Sequence, residues 1–337
     1  MKPHSPFPII KPLSKAALLA EQWQQLVQPF WQNMPEGELI SQDGTRLFYK
    51  YHHTPQAQCA VVISAGRMEM ALKYAELCYE LGQAGYSVFI LDHRGQGLSQ
   101  RALSNKFKGD IIDFDLYQQD FNHFMQQIVQ PYQHSYHIAL GHSMGCAILA
   151  TYLAKQPKHP FVASILAAPM FGIYTSIVPY TIAQFAVLAW YKVNRYFSAT
   201  PWYAPLQGDY REKPFKNNPQ TRNQERYLWL QQQYQQQPKS QLGGVTLRWL
   251  EQAIYAMQSI HLQAANWSTP VLLLQAADDK IVANRSQDNW YNALPKSLNR
   301  KKVSIKGAKH EIFMESDQIR EQAFSAINHF LQQLTHN

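Results

Sequence analysis

The stretch Tyr136-His137-Ile138-Ala139-Leu140-Gly141-His142-Ser143-Met144-Gly145-Cys146 constrains this chain more than any other. It starts as a short apolar strand, passes through G-x-S-x-G and runs on into the helical segment Cys146 to Ala154. A serine in that setting reads as a nucleophile elbow. Gly141 and Gly145 have no Cβ where the backbone must turn sharply, so Ser143 can sit on a strained turn with its Oγ exposed. The helix that follows aims its N-terminal N–H groups at that oxygen. The Met144 N–H is then a donor for an oxyanion. Such an elbow needs a sheet of parallel strands behind it, and an acid and a histidine farther along the chain, in that order.

The flanking sequence supplies the sheet. Cys59 to Ser64 is a continuous apolar run ending near Gly66, which reads as a strand buried on both faces. Glu69 to Leu81 reads as a helix with Leu72, Ala75, Cys78 and Tyr79 on one face, and Tyr86 to Asp92 as the next strand. Strand, helix, strand predicts a parallel pair with a right-handed crossover. Phe114 to Val129 continues the pattern as a helix. Val162 to Pro169, Pro270 to Gln275 and Lys301 to Ile305 read as strands, and Ser316 to Leu334 as a closing helix. Asp43-Gly44 between two alternating runs signals a hairpin. The fold class is α/β, a mostly parallel central sheet flanked by helices.

The rhythm stops between the strand at Val162 and the strand at Pro270. Residues 170–265, rich in aromatics, Gln and Pro, read as a mostly helical lid inserted into the sheet. Its apolar face is expected to meet either acyl chains or the core. Ile173 to Tyr191 is apolar, but Pro179, Gln184 and its place between two halves of one sheet argue against a membrane span. The expected organisation is an N-terminal arm over 1–38, a core over 39–169 and 266–337, and the cap over 170–265. The arm, weakly helical from Ser14 to Phe30, is expected to pack on the core or on a membrane surface.

The formal charge is +8, yet no dense Lys/Arg block or nucleic-acid-binding motif is present, so nucleic acid is not an expected partner. An anionic membrane surface is compatible with that charge. Cys59, Cys78 and Cys146 are odd in number and lack C-x-x-C spacing, which argues against a disulfide framework and a zinc site. No metal or cofactor is expected; Gly95-Gln96-Gly97 lacks the third glycine of a dinucleotide fingerprint. The N-terminal residues hold no apolar run of signal-peptide length, so a cytoplasmic setting is expected. Nothing in the sequence fixes an oligomeric state.

The acid and the histidine follow from position. Asp279 lies after the strand at Pro270 and His310 after the last strand, both at the carboxyl ends where Ser143 also sits. Asp279 is preferred to its neighbour Asp278 because Asp-x-x-Val lets Val282 re-enter the core behind it. His310 is preferred to His93, which precedes a glycine turn, and to His123 and His137, which lie before the elbow. The second oxyanion donor is assigned to the Arg67 N–H, with Gly66 as second choice. Gly66 and His142 are expected to shape the substrate pocket. The Arg67 side chain has two expected fates, an anionic head group or an ion pair with Glu69.

Gly66-Arg67-Met68-Glu69, Asp92-His93-Arg94-Gly95-Gln96-Gly97-Leu98-Ser99, Gly141 to Gly145, Ala168-Pro169-Met170 and Gly307-Ala308-Lys309-His310-Glu311 together resemble the monoglyceride-lipase-like α/β-hydrolases. Within that branch the chain is similar to bacterial PldB-type lysophospholipases, from about Leu39 onward. The resemblance implies hydrolysis of the carboxylic ester of a lysophospholipid to a fatty acid and a glycerophosphodiester. It implies peripheral association with the cytoplasmic face of the inner membrane, with Ser143 as nucleophile, Asp279 as acid and His310 as base. Two positions depart from the family: Ala65-Gly66 stands for the usual His-Gly, and Cys146 for a common glycine. Other readings are a monoacylglycerol lipase or carboxylesterase, a lysophospholipid transacylase, and a catalytically silent binding protein.

Overall fold

The computed structural model describes residues 5–176, 178–216 and 218–334. Strands β1 (Glu36–Ile40) and β2 (Arg46–His52) form the expected hairpin, closed over Gly44 at φ 85°. The strands β3 (Cys59–Ser64), β4 (Ser87–Leu91), β5 (Tyr136–His142), β6 (Phe161–Ala167), β7 (Val271–Ala276) and β8 (Arg300–Ile305) follow. They form one eight-stranded sheet in the order β1-β2-β4-β3-β5-β6-β7-β8. Only the β1–β2 and β2–β4 pairs are antiparallel. Every residue of β3, β4 and β7 is buried, as continuous apolar runs require when helices cover both faces.

The helices are α1 (Leu19–Gln22), α2 (Gln28–Asn33), α3 (Ala75–Ala84), α4 (Asp115–Phe124), α5 (Met144–Lys155), α6 (Tyr180–Phe197), α7 (Gln224–Gln236), α8 (Leu247–Gln263), α9 (Asn284–Ala293) and α10 (Asp317–Gln333). Three depart from the periodicity. Helix α3 starts later than Glu69, after a 3-10 turn over Ala71–Tyr74, because the Glu69 carboxylate folds back onto the Gly66 N–H. The segment after α4 widens into a π turn over Met125–Val129, which keeps Met125 and Val129 inward. A second π turn, Trp23–Val27, sits between α1 and α2. Between β6 and β7 the chain leaves the sheet through α6, α7 and α8 before it returns.

The arm docks on the core. Phe7 and Ile10 are buried, the Tyr86 hydroxyl donates to Pro8 O at 2.8 Å, and Ile10 exchanges backbone hydrogen bonds with the Asn328 amide. Leu13 N–H donates to Glu80 at 3.0 Å. Glu80 also receives Arg320 at 2.5 Å, and Glu76 receives both Arg320 at 2.8 Å and Arg226 of α7 at 2.7 Å. Arg226 further meets Asp317 at 2.9 Å. Both guanidinium side chains are fully buried, so this cluster fastens the arm, α3, α7 and α10 to one another.

The amino ends of the central strands hold a histidine group of a different kind. His134 Nε2 lies 2.8 Å from the Ser87 hydroxyl, and His137 stacks edge-on to His134 with His53 beyond it. Neither His134 Nδ1 nor His137 Nε2 has a partner among the described residues. Burial first, then the His134 charge, lowers His137 from 6.5 to about 4. The unfolded chain therefore takes up this proton near pH 6.5 and the folded one only near pH 4. The stabilisation is present above pH 6.5 and is lost as pH falls from 6.5 toward 4, on the order of 3 kcal/mol. Urea denaturation at pH 7 and pH 4.5 checks this: His137→Gln is expected to shrink the acid-induced loss seen in the wild type.

Candidate active site

The elbow forms as its glycines demand. Ser143 sits at φ 52°, ψ −117°, between the end of β5 and the first residue of α5. A Cβ on Gly145 would lie 2.0 Å from Ser64 O, and one on Gly141 would lie 3.0 Å from the Cys146 backbone. Both positions let β3, β5 and α5 approach more closely than any side chain permits. Ser143 N–H donates to Ala167 O at 3.0 Å, and Ser143 O accepts from Met170 N–H at 3.1 Å, which ties the elbow to the end of β6. The Cys146 thiol reaches Ala167 O at 3.4 Å, so the residue in place of a common glycine adds a link to that strand.

The loops after β7 and β8 bring an acid to a histidine. His310 Nδ1 lies 2.8 Å from Asp279 Oδ2. The other oxygen, Asp279 Oδ1, accepts the N–H groups of Ile281 at 2.8 Å and Val282 at 3.0 Å. The Asp-x-x-Val turn thus fixes the carboxylate while buried Val282 anchors it from behind. Asp278 points elsewhere, to Arg222 at 2.7 Å, and both side chains of that pair are about half exposed. His310 is buried, and its ring packs 4.8 Å from that of His142, the neighbour of Ser143. No hydrogen bond joins Ser143 Oγ to His310 among the described residues; hydroxyl–imidazole bonds of this kind often tighten only when substrate binds.

Two backbone N–H groups near the serine, those of Met144 and Arg67, have no acceptor among the described residues. The Gly66–Arg67 peptide is oriented from its far side, where the buried Gln96 amide donates to Gly66 O at 2.7 Å. The carbonyl and the N–H of one peptide point in opposite directions, so Gln96 sets where the Arg67 N–H faces. Gln96, which in the sequence only weakly matched a nucleotide motif, thus braces the loop after β3. Gly66 is corrected as a second-choice donor: its N–H is occupied by Glu69. The expected Arg67–Glu69 ion pair is also absent, because Glu69 turns the other way.

Glu69 belongs to a buried charge cluster that the sequence did not announce. Its carboxylate meets Lys73 at 2.7 Å, His142 Nδ1 at 2.9 Å and the Tyr74 hydroxyl at 2.5 Å. Lys73 also pairs with Glu311, the residue after His310. His142 Nε2 faces the His310 carbonyl at 3.1 Å. Both His142 nitrogens thus face acceptors, an arrangement that favours the doubly protonated ring. Burial opposes that charge, but the carboxylates of Glu311 and Glu69 outweigh it and raise the His142 pKa. His142, expected to shape the pocket, is almost wholly enclosed. Glu69, His142 and Glu311 could by proximity ligate a metal, their ligand atoms lying within 4.8 Å of one another. The Lys73 ammonium already supplies the positive charge between the two carboxylates, so the donor set does not fit a resident ion.

This cluster joins the loops carrying Arg67, Ser143 and His310. Lys73→Met would leave two buried carboxylates short of a cation, and a stability loss of about 3–5 kcal/mol is expected in urea denaturation.

The sequence of residues 55–317 matches the family Hydrolase_4, described as serine aminopeptidase, S33. Lysophospholipase L2 of Escherichia coli is 35% identical over 308 residues, covering 89% of this chain and 88% of that protein. Monoglyceride lipase of Homo sapiens is 24% identical, covering 90% of this chain and 92% of that protein. Among solved structures, a soluble variant of monoglyceride lipase from Saccharomyces cerevisiae in complex with a substrate analog superposes with a TM-score of 0.69 at 18% identity. That alignment covers 89% of this chain and 95% of the yeast one.

Proposed function

The chain belongs to the Hydrolase_4 family and is an ester hydrolase of the α/β-hydrolase fold; from that premise we propose that it cleaves the acyl ester of lysophospholipids through a covalent acyl-enzyme on Ser143. The observation that carries this reading is the strained Ser143 elbow beside a histidine whose Nδ1 is held by Asp279. A neutral His310 that donates Nδ1–H to Asp279 presents Nε2 as a proton acceptor. Ser143 Oγ attacks the ester carbonyl carbon as His310 takes its proton. The oxyanion is met by the N–H groups of Met144 and Arg67 and by the positive end of α5. Collapse returns the proton to the glycerol oxygen and releases the glycerophosphodiester. Water, activated by the same imidazole, then frees the fatty acid.

Residues 170–265 act in this reading as a cap over the site. Its helix α6 supports contact with a membrane surface. Ile182, Phe185, Tyr196 and Phe197 are 59%, 75%, 84% and 70% exposed, and the charges on this helix are the cations Lys192 and Arg195. That combination suits an interfacial helix on anionic lipid. No helix among the described residues is long and apolar enough to cross a membrane. The association proposed is a peripheral one, on the cytoplasmic face of the inner membrane.

The test is a product profile of the purified enzyme on lysophosphatidylethanolamine, monoacylglycerol and short p-nitrophenyl esters. Release of fatty acid and glycerophosphoethanolamine is expected. Turnover confined to short soluble esters would remove the lysophospholipid reading. The human and yeast relatives named for monoglycerides make monoacylglycerol the second substrate to compare. Acyl transfer to an added acceptor lipid in place of water would move the assignment to a transacylase.

A further inference from the structure

The loss of the Arg67–Glu69 pair leaves a question of charge. Four other covered guanidinium groups meet carboxylates: Arg94 meets Asp120 and Asp43, Arg226 and Arg320 share Glu76, and Arg248 meets Asp110. Arg101 has no ion-pairing carboxylate among the described residues, but four backbone carbonyls, those of Ser99, Lys106, Lys239 and Gln241, take up its donors. Arg67 has no carboxylate within ion-pairing distance among the described residues. Its Nη1 donates weakly to Gly243 O at 3.4 Å, its Nη2 lies 2.9 Å from Met68 Sδ, and its plane sits 5.6 Å from the centre of the Trp249 ring. Trp249 is itself fixed, its Nε1–H donating to the Tyr117 hydroxyl at 3.2 Å. Of the five N–H donors of a guanidinium, these contacts use two. Desolvation lowers Arg67 to about 10, so the group remains a cation at neutral pH.

A positive charge is therefore held in a defined place with no carboxylate in ion-pairing contact, Glu69 acting on it only from a distance, on the residue whose backbone N–H is proposed above to meet the oxyanion. We propose that Arg67 is the head-group recognition residue, and that its counter-ion is the phosphodiester of the substrate. This rests on the lysophospholipid reading above. Arginine suits the task because its planar fork meets two phosphate oxygens at once. The placement suits it too. The guanidinium lies between the loop after β3 and α8 of the insertion. An extended arginine side chain and a glycerol unit are of similar length. One residue can thus offer its N–H to the carbonyl oxygen at one end of the glycerol and its side chain to the phosphate at the other. Monoacylglycerol, which lacks the phosphate, leaves this cation unpaired, so Arg67 favours the charged ester over the neutral one.

The test compares wild type, Arg67→Met and Arg67→Lys on lysophosphatidylethanolamine and monoacylglycerol of one acyl chain. The ratio of the two kcat/KM values is expected to fall at least about tenfold in Arg67→Met and to recover in part in Arg67→Lys, because a charge-assisted contact is lost and then replaced by a point charge. A fall common to both esters, with the ratio unchanged, overturns the assignment; lost packing on Trp249 would produce that pattern.

Binding without turnover supplies a second arm. In Ser143→Ala protein, glycerophosphoethanolamine and inorganic phosphate are titrated by calorimetry. The diester is expected to bind at least about tenfold tighter than inorganic phosphate, and to weaken by a similar factor when Arg67→Met is added. Equal binding of the two anions, or diester binding indifferent to Arg67→Met, overturns the head-group role. A wild type that cleaves monoacylglycerol but not lysophosphatidylethanolamine defeats the substrate reading by itself, and the titration still decides Arg67.

Discussion

Replacing Ser143 by Ala is expected to lower kcat on lysophosphatidylethanolamine by about six orders of magnitude, the scale seen when a serine nucleophile is removed from such a site. The substitution takes away one oxygen and leaves the backbone hydrogen bonds to Ala167 and Met170 in place. The strained φ of 52° is one that Ala tolerates no worse than Ser. Thermal unfolding should therefore change little while covalent labelling by a fluorophosphonate disappears. Residual turnover well above that level, with labelling retained elsewhere on the chain, would place the nucleophile at another residue.

Asp279→Asn is expected to cost about four orders of magnitude in kcat, through the proton position rather than through lost structure. The Asn carbonyl oxygen can still accept from Ile281 and Val282, which turns its NH₂ toward His310 Nδ1. That nitrogen must then act as acceptor, the ring proton moves to Nε2, and the imidazole can no longer take a proton from Ser143. Asp278→Asn is expected to change kcat by about twofold or less, since its half-exposed pair with Arg222 is worth little. Steady-state kinetics of the two variants side by side decides the matter. The reverse ranking would move the acid to Asp278.

The elements that the sequence exposed share a physical cause: their signals are local. Gly141 and Gly145 mark the elbow because only glycine fits where the backbones meet. Val282 marks Asp279 because the four-residue turn Asp279–Val282 couples carboxylate and core. The apolar runs of β3, β4 and β7 announce strands covered on both faces. What stayed hidden depends on partners far apart in the chain. Lys73 and Glu311 are 238 residues apart, and neither spacing nor composition indicates that they meet beside His142. Glu69 read as a helix start and a partner for Arg67, yet a better set of cations lay behind it in Lys73 and His142. The arm was open to two surfaces, core or membrane, for the same reason, since Leu13 and Ser14 find Glu80 only once α3 is in place.

Arg226 divides the excursion between β6 and β7 into parts of unequal freedom. Withdrawing this side chain would leave the buried carboxylates Glu76 and Glu80 to share the single guanidinium of Arg320, at a cost of about 3–5 kcal/mol, so α7 behaves as a fixed jamb built into the frame. Helix α6 has no such rivet; only Tyr191 and Asn194 of its eighteen residues are buried. If residues 170–265 cover the site as proposed, any swing that admits an acyl tail falls to that one greasy panel, and its travel is bounded by the post to which the neighbouring helix is bolted.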